Sequence, residues 1–365
     1  MPSKLKSIEV DNWKSLRSLR LDLEDVNVLI GPNGSGKSNL VQFFHMMNMM
    51  MSGNLQLFVG RAGGANSLLH YGSKNALFID SKLTFAADSG RDDYAFRLIH
   101  GAPDTFVFAS ENVTFQANNA VKPFFNEFGA GHKESLLESK YDGATPGKRP
   151  IFGVVRGMLG GVRYFQFHDT SMEAHIRGVA REDNNRSLFH NGGNVAAVLL
   201  RLKREFPNAF SEVVNRVRTG VPAFRDFVLE PDHGQLLLEW TDAHRGQRFG
   251  PHQLSDGSIR LIALQALLAL PPQMSPSVLI IDEPELGLFP RAIETLADAI
   301  RSAASRCQVV LATQSNRLVR YLNPASLICC SWNAGESTIE RVSPSDEFEF
   351  MDNYTLGDYI ESDRR

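Results

Sequence analysis

The chain has 365 residues, with 38 Lys or Arg against 41 Asp or Glu, for a formal net charge of −3. This balance excludes a strongly basic protein that coats nucleic acid through charge alone. Hydrophobic residues make up 43% and charged residues 22% of the sequence, which excludes wholesale disorder. At about 100–200 residues per domain, the length allows two or three domains, or one large domain with an insertion.

The cysteines and the hydropathy pattern indicate a reduced, cytoplasmic protein. Cys329 and Cys330 are adjacent and Cys307 stands alone, so the sequence has neither a disulfide framework nor a CxxC zinc pattern. The first ten residues carry charges and no apolar signal core. One uncharged stretch, 261–281, contains three prolines, so we expect a short helix, a turn and a buried strand rather than a membrane helix.

The first half of the chain alternates between predicted strands and helices. A glycine-rich loop over 31–38 leads into a predicted helix over 39–51, whose methionines are expected to fill a buried face. Residues 118–149 are rich in Gly, Asn, Lys and Glu, and we expect a mobile or irregular insertion there. Short apolar or alternating runs predict strands at 8–10, 19–23, 26–30, 76–86, 94–100, 106–115 and 161–167.

The second half shows clearer helical periodicity. Apolar residues of 194–206 fall on one helical face, and further helices are predicted at 259–270 and 291–305. Predicted strands lie at 224–229, 235–240, 278–281 and 308–312.

Charge is distributed unevenly along the chain. The range 156–225 has eleven basic and six acidic residues, whereas 336–365 has three basic and nine acidic ones. The basic range is compatible with contact to nucleic acid, and solvated helix faces explain it equally well.

The loop at 31–38 reads GPNGSGKS and fits the pattern G-x-x-x-x-G-K-[ST]. It follows a predicted strand and precedes a predicted helix, which is the context that this motif requires. Glycines let backbone N–H groups turn toward phosphate oxygens, and a helix N-terminus adds positive potential. We therefore predict that Lys37 bridges the β- and γ-phosphates of ATP and that Ser38 binds Mg²⁺.

Two carboxylates follow the apolar run 278–281. A buried parallel strand at this position would end where its carboxyl edge meets the phosphates. Asp282 is then expected to hold Mg²⁺, and Glu283 to orient and deprotonate the attacking water. The pair is weak evidence alone, but the glycine loop in the same chain makes it a prediction of ATP hydrolysis.

The segment 254–258, LSDGS, precedes the predicted helix at 259–270. Ser255 and the N–H groups at the start of this helix form a second phosphate-binding device. Because one γ-phosphate does not need two such devices in one chain, we predict a dimer in which this loop caps ATP held by the other copy. The alternative is a simple helix cap by Ser255 or Asp256.

The order of these motifs carries a resemblance to a known family. GPNGSGKSN, LSDGS, LIIDEPELGLFP and LATQSN resemble the ABC-type ATPase head of RecF, SMC and OLD proteins, in particular bacterial RecF/OLD-like AAA ATPases without a coiled coil or Toprim domain. The resemblance extends to VDNWKSL near the N-terminus and to YFQFHDTS at 164–171, HNGGNVAAVL at 190–199 and YTLGDYI at 354–360.

This resemblance implies an α/β fold, a P-loop NTPase head of ABC type with an antiparallel β subdomain and an inserted helical lid. An N-terminal ATPase lobe is expected over 1–117. The insertion and lid would occupy 118–222. A C-terminal lobe over 223–365 would carry the signature, the Asp-Glu pair, the D-loop and the switch residue.

The resemblance also assigns site residues. Catalytic roles fall to Glu283, Lys37 and Gln314, and Mg²⁺ binding to Ser38, Asp282 and Gln166. ATP binding falls to Asn33, Gly34, Ser35, Gly36, Lys37, Ser38, Asn39, Lys14, Ser255 and Gly257. Two assignments keep a plain alternative: Lys14 as a surface lysine, and Gln166 as a solvent-facing strand residue.

Four positions depart from the family pattern. Asp256 and Ser258 differ from the LSGGQ form of transporters. Phe289 stands in the D-loop region, 286–290, where relatives usually have His. Gln314 occupies the position of the switch histidine, and because an amide can hydrogen-bond a phosphate but cannot take up a proton, we expect slow hydrolysis.

The expected function is an ATP-driven dimeric switch with ATP and Mg²⁺, acting in DNA repair or anti-phage defence and controlling a separate effector. The alternatives are a non-hydrolysing scaffold for a toxin or nuclease partner, and the motor subunit of a transporter. An acidic cluster (Asp346, Glu347, Glu349 and Asp352) suggests a metal nuclease, but the 51 residues after Gln314 are too few for a Toprim domain. We expect no intrinsic nuclease, and we expect His168, His175 and His190 to be structural.

Overall fold

A computed structural model describes residues 3–342 of the chain. The segment YTLGDYI at 354–360 and the acidic cluster formed by Asp346, Glu347, Glu349 and Asp352 lie outside the described residues. Contacts divide the chain into two compact units. Unit 1 comprises the described parts of Met1–Arg163 and Ala325–Arg365, and unit 2 is Tyr164–Pro324. The three segments predicted from the motifs stay a prediction.

The strands of the described range are, in chain order, β1 (Lys4–Trp13), β2 (Leu16–Asp22), β3 (Val26–Ile30), β4 (Phe78–Ala87), β5 (Gly90–Gly101), β6 (Thr105–Ala117), β7 (Phe124–Glu127), β8 (Val162–Phe165), β9 (Ala180–Arg181), β10 (Phe224–Val228), β11 (Gln235–Leu236), β12 (Glu239–Asp242), β13 (Arg248–Phe249), β14 (Val278–Asp282), β15 (Gln308–Thr313), β16 (Leu327–Asn333) and β17 (Glu336–Arg341).

The α-helices of the same range are α1 (Lys37–Met51), α2 (Leu55–Arg61), α3 (Leu137–Asp142), α4 (Arg149–Gly160), α5 (Val195–Glu205), α6 (Pro207–Gly220), α7 (Asp256–Leu268), α8 (Pro290–Ala303) and α9 (Asn316–Val319). In this part of the chain, no helix is both long enough and apolar enough to cross a membrane.

Unit 1 contains an antiparallel sheet in the order β2-β1-β4-β5-β6-β7. Burial alternates along β5 and β6, as expected for strands with one face on a core. In the same unit β16 pairs in parallel with β3 and antiparallel with β17.

The core of unit 1 is built around Trp13, which is fully buried at the end of β1. Its ring meets Phe43 of α1 edge-on and stacks against Phe58 of α2. Met46, Met47 and Met50 of α1 are buried, which confirms the expected methionine face. These contacts hold α1 against the first strand of the chain.

Unit 2 surrounds a buried helix. Every residue of α7 from Ile259 to Leu268 is buried, which is typical of a helix packed on all sides. Next in the chain, β14 pairs in parallel with β15, and both consist mainly of buried aliphatic residues. The small sheets β10-β12-β13 and β11-β9 complete the unit.

Most predicted elements are confirmed, and one prediction is wrong. Residues 118–149, expected to be a mobile or irregular insertion, are mostly without regular secondary structure, but they also contain α3 and β7, which extends the sheet of unit 1 at β6. The single strand predicted at 235–240 is split into β11 and β12, which pair with β9 and with β10. The apolar run at 236–238 continues across the break between the two strands, so periodicity could not reveal it.

Asp92 provides a test of this core. It lies in β5 between Phe85 and Phe115 of the neighbouring strands, is 1% exposed, and has no hydrogen-bond partner for Oδ1. Burial, with a contribution from the charge of Asp93, raises the pKa of Asp92 to about 7. The unfolded chain loses this proton near its ordinary pKa of about 4, so stability falls as pH rises from about 4 to about 7.

We expect Asp92→Asn to remove this penalty. In urea unfolding at pH 8 the variant should be more stable than the wild type by roughly 2–4 kcal/mol, and at pH 4 the difference should disappear. The same substitution at the exposed Asp142 serves as the control. An equal effect of Asp92→Asn at both pH values would show that folding does not raise the pKa of Asp92.

Candidate functional site

In unit 1 the glycine loop, residues 31–38, connects β3 to α1 through close backbone contacts. A Cβ on Gly31 would lie 2.1 Å from the carbonyl oxygen of Cys330. A Cβ on Gly36 would lie 2.4 Å from Oγ of Ser337, and Gly36 caps α1 with a φ of 102°. Glycine is therefore required for space at both positions and for conformation at the helix cap.

The interior of the glycine loop presents groups suited to an anion. Lys37 is 8% exposed, and its Nζ donates hydrogen bonds to the carbonyl oxygens of Gly31 at 2.7 Å and Pro32 at 2.8 Å. Oγ of Ser35 is buried without a hydrogen-bond partner. Asn33 and Gly34 are exposed at the tip of the loop. An inward ammonium, an unpartnered hydroxyl and a helix N-terminus fit a phosphate chain.

Lys14 lies in the turn between β1 and β2, next to α1. Its neighbour Trp13 donates from Nε1 to the carbonyl of Asn39 at 2.7 Å. Nζ of Lys14 donates to the side chain of Gln42 in α1, and burial lowers the pKa of Lys14. The structure thus places the side chain of Lys14 against α1, the helix that begins at Lys37. The contact of Lys14 with nucleotide stays a prediction.

In unit 2, Asp282 ends β14 and accepts two hydrogen bonds at Oδ2. One comes from the hydroxyl of Tyr164 and one from Nε2 of Gln166, both at 3.3 Å. Burial, together with the charge of Asp282, raises the pKa of Tyr164. The structure therefore brings Gln166 to Asp282, and it adds Tyr164, which the sequence analysis missed.

Glu283 has a strained backbone and two polar neighbours. Its φ of 46° lies in the left-handed region, which is uncommon for a non-glycine residue and concentrates at functional sites. Nε2 of Gln314 donates to Oε1 of Glu283 at 2.8 Å. Nε2 of His168 is 3.7 Å from Oε2 of Glu283 and is buried without a hydrogen-bond partner.

His168 was expected to be structural, but the structure places it beside Glu283. The signal that could have revealed it is its position two residues after Gln166. Because residues two apart in an extended chain point to the same side, a contact of Gln166 with Asp282 brings His168 to the same region.

The signature loop, residues 254–258, forms the start of α7. Ser255 is the helix cap: its Oγ accepts a hydrogen bond from the N–H of Ser258 at 3.2 Å. A Cβ on Gly257 would lie 2.3 Å from the carbonyl oxygen of Gly287, so the first turn of α7 packs directly on the D-loop region. Ser255 therefore caps α7, as the alternative interpretation of this loop proposed. Gly257 allows the close packing of α7 on Gly287.

Arg260 connects helix α7 to two other segments of unit 2. Its guanidinium is buried and donates to the carbonyl oxygens of Phe167, Leu286 and His168. One side chain of α7 therefore holds both the segment after Gln166 and the segment after Glu283. The sequence signal that was missed is a lone arginine inside an otherwise apolar helix. In contrast, Phe289 is 70% exposed at the cap of α8.

Two family models match the chain. Residues 4–145 match the family model described as "AAA ATPase domain". Residues 158–320 match the one described as "AAA domain, putative AbiEii toxin, Type IV TA system". The search of curated proteins produced no match.

Several solved structures of SMC heads share the fold. An SMC head bound to the C-winged helix domain of ScpA is 15% identical, with a TM-score of 0.61 over 94% of this chain and 99% of that chain. The SMC head domain from Thermotoga maritima is 15% identical, with a TM-score of 0.52 over 93% and 99%. A Pyrococcus furiosus SMC head bound to the C-terminal domain of ScpA is 14% identical, with a TM-score of 0.58 over 96% and 98%.

These findings define the class of the protein. It has a mixed α/β fold that matches the P-loop NTPase head of SMC proteins, with antiparallel and parallel sheets as expected. Two stretches of its sequence match models of AAA-type ATPase domains. Together with the fold, these matches support a nucleotide-binding ATPase.

The contact between Gly257 and Gly287 predicts a large effect of one methyl group. Gly257→Ala should lower the free energy of unfolding by roughly 1–3 kcal/mol, because the new Cβ meets a backbone oxygen that cannot move alone. Gly157→Ala in α4 is the control, since its Cβ meets nothing within 4 Å, and it should be neutral or slightly stabilising. Urea unfolding of both variants checks this, and equal stability would contradict the packing.

Proposed function

We propose that the protein is a RecF/OLD-like ATPase that hydrolyses ATP to ADP and phosphate and uses the cycle as a dimeric switch. The observation that carries the proposal is Glu283. It follows Asp282 at the carboxyl end of a buried parallel strand, is held in a strained conformation, and has an oxygen occupied by the amide of Gln314. This is the arrangement expected of a base that activates water beside a phosphate.

The proposed binding of ATP rests on the glycine loop. The phosphates would contact Lys37, the backbone N–H groups of 33–39 and the hydroxyl of Ser35. The ammonium of Lys37 would exchange its hydrogen bonds with backbone carbonyl oxygens for hydrogen bonds with phosphate oxygens. Lys14 would add a further positive charge.

The proposed binding of Mg²⁺ rests on oxygen donors in the two units. Ser38, Asp282 and Gln166 offer a hydroxyl, a carboxylate and an amide, which are the donor types that this ion prefers. Among residues 3–342 no cluster of three or more His, Cys, Asp or Glu suits a metal ion. When bound, Mg²⁺ would neutralise charge on the phosphates.

A dimer is proposed because the signature loop presents a second anion-binding surface. Ser255 is exposed at the N-terminus of α7, where the first backbone N–H groups of a helix lack acceptors within the helix. Each copy would place this surface, Gly257 included, on the ATP bound by its partner. ATP binding would close the pair, and hydrolysis by Glu283 would open it.

The cellular role that we propose is anti-phage defence or DNA repair, with control of a separate effector protein. The description of the family model over 158–320, with its putative toxin and toxin–antitoxin system, supports the defence branch. The second candidate is a nucleotide-dependent scaffold that does not turn over. Gln314 favours it, because a neutral amide at the switch position cannot accept a proton.

Glu283→Gln and Lys37→Ala separate hydrolysis from binding. Glu283→Gln should retain ATP binding and lose turnover by about 10²–10⁴-fold, the contribution of a general base. It should also accumulate as a dimer in mass measurements with ATP. Lys37→Ala should lose both ATP binding and the dimer. Unchanged turnover in Glu283→Gln would exclude the hydrolytic mechanism, and a wild type without turnover that still dimerises with ATP would identify the scaffold.

A DNA-repair role predicts stimulation by DNA. Steady-state ATPase activity should rise with added duplex DNA at low salt, and the stimulation should fall steeply with salt because phosphate contacts release counterions. Glu283→Gln serves as the background control. Activity that is indifferent to DNA at every salt concentration would leave the effector-control branch as the proposal.

A further inference from the structure

A second buried arginine, Arg177, contacts the signature loop from outside the family motifs. It ends a 3₁₀ turn at His175–Arg177 and is 3% exposed. Its Nη2 donates to Oδ1 of Asp256 at 2.9 Å, and Asp256 itself is 69% exposed. The pair joins a buried cation to a carboxylate on the surface of the first turn of α7.

The other hydrogen bonds of Arg177 end on backbone carbonyls. Nη1 donates to Pro251 and, at 3.1 Å, to Leu254, the residue immediately before the cap Ser255. Nε donates to Thr170 at 2.9 Å. The guanidinium therefore holds both ends of the short turn that leads into α7.

These contacts set the direction of the signature loop. The carbonyl of Leu254 belongs to the peptide bond that carries the N–H of Ser255, so fixing that carbonyl orients the cap residue. A planar guanidinium with several donors can hold separated acceptors at once, whereas the ammonium of lysine acts as a single point charge. Removing the guanidinium of Arg177 would leave the carbonyl oxygens of Pro251 and Leu254 without the donor that they share.

The partner of Arg177 stands at an unusual position. Asp256 occupies a place in the signature loop where the sequence departs from the glycine of the transporter form. As an acid in the first turn of a helix it also complements the helix dipole. The departure thus has a physical reason in this chain, because it supplies the carboxylate that pairs with Arg177.

We propose that Arg177 is a positioning residue for the signature loop and that Asp256 is its charge partner. This inference rests on the proposed ATP-dependent dimer. Arg177 holds Ser255 and the N-terminus of α7 in the orientation that receives the ATP of the other copy. It contributes to dimer closure and turnover and does not contribute to the affinity of the glycine loop for ATP.

The test compares Arg177→Lys and Asp256→Asn with the control Arg181→Lys. Arg181 lies four residues further along, is exposed, and pairs with the exposed Asp183. Three quantities are measured: binding of a fluorescent ATP analogue to the monomer, the dimerisation constant with ATP in the Glu283→Gln background, and kcat with KM for ATP. Thermal melting checks that each variant is folded.

For Arg177→Lys we expect dimerisation with ATP to weaken at least about tenfold and kcat to fall by a similar factor, because a charge-assisted hydrogen bond is lost. The affinity for the fluorescent ATP analogue should not change. Asp256→Asn should show the same pattern at about two- to fivefold, since neutral carbonyls still hold the arginine. The double variant should resemble Arg177→Lys alone, because the two side chains act as one unit. Arg181→Lys should match the wild type.

Several results would overturn the inference. Wild-type dimerisation and kcat in Arg177→Lys would leave the proposed function standing and remove the positioning role. A parallel loss of analogue affinity would show a general structural effect. If Arg177→Lys does not fold, full dimerisation in Asp256→Asn overturns the charge pairing by itself. A wild type that neither dimerises nor turns over ATP would instead refute the proposed function.

Discussion

The ammonium of Lys37 turns back onto the carbonyl oxygens of Gly31 and Pro32, and the glycine loop depends on this contact. A lysine can occupy the interior of a loop only if the backbone passes close to its neighbours without side chains in the way. Gly31 against Cys330 and Gly36 against Ser337 provide that clearance. The result is a buried ammonium that donates to backbone carbonyl oxygens of its own loop. A phosphate oxygen would accept a charge-assisted hydrogen bond from the same group.

In unit 2, the paths of the loops around α7 are fixed mainly by buried arginines. Arg260 and Arg177 are both buried, and both donate hydrogen bonds chiefly to backbone carbonyl oxygens of other segments. Such bonds fix the path of loops that have little regular structure of their own. A buried charge is costly unless it is satisfied in this way, so the two side chains specify one arrangement of the signature loop, the D-loop region and the residues after Gln166.

The surroundings of Glu283 give the site its particular character. Its carboxylate accepts a hydrogen bond from the amide of Gln314, at the position where the sequence resemblance predicts a switch histidine. The imidazole of His168, from a different segment, lies 3.7 Å from the same carboxylate. The proposed hydrolysis therefore depends on these two side chains, which set the hydrogen-bonding groups around Glu283.

Local sequence determined the parts of this protein whose chemistry lies within a few residues. The strand, loop and helix from 26 to 51 follow from glycine spacing and apolar periodicity, and so do β14 with Asp282 and the cap at Ser255. Only the tertiary structure decided which distant side chains meet. Tyr164 lies 118 positions before Asp282, and Arg177 lies 79 positions before Asp256. No periodicity connects such positions, because packing between elements, rather than any local rule, brings them within hydrogen-bond distance.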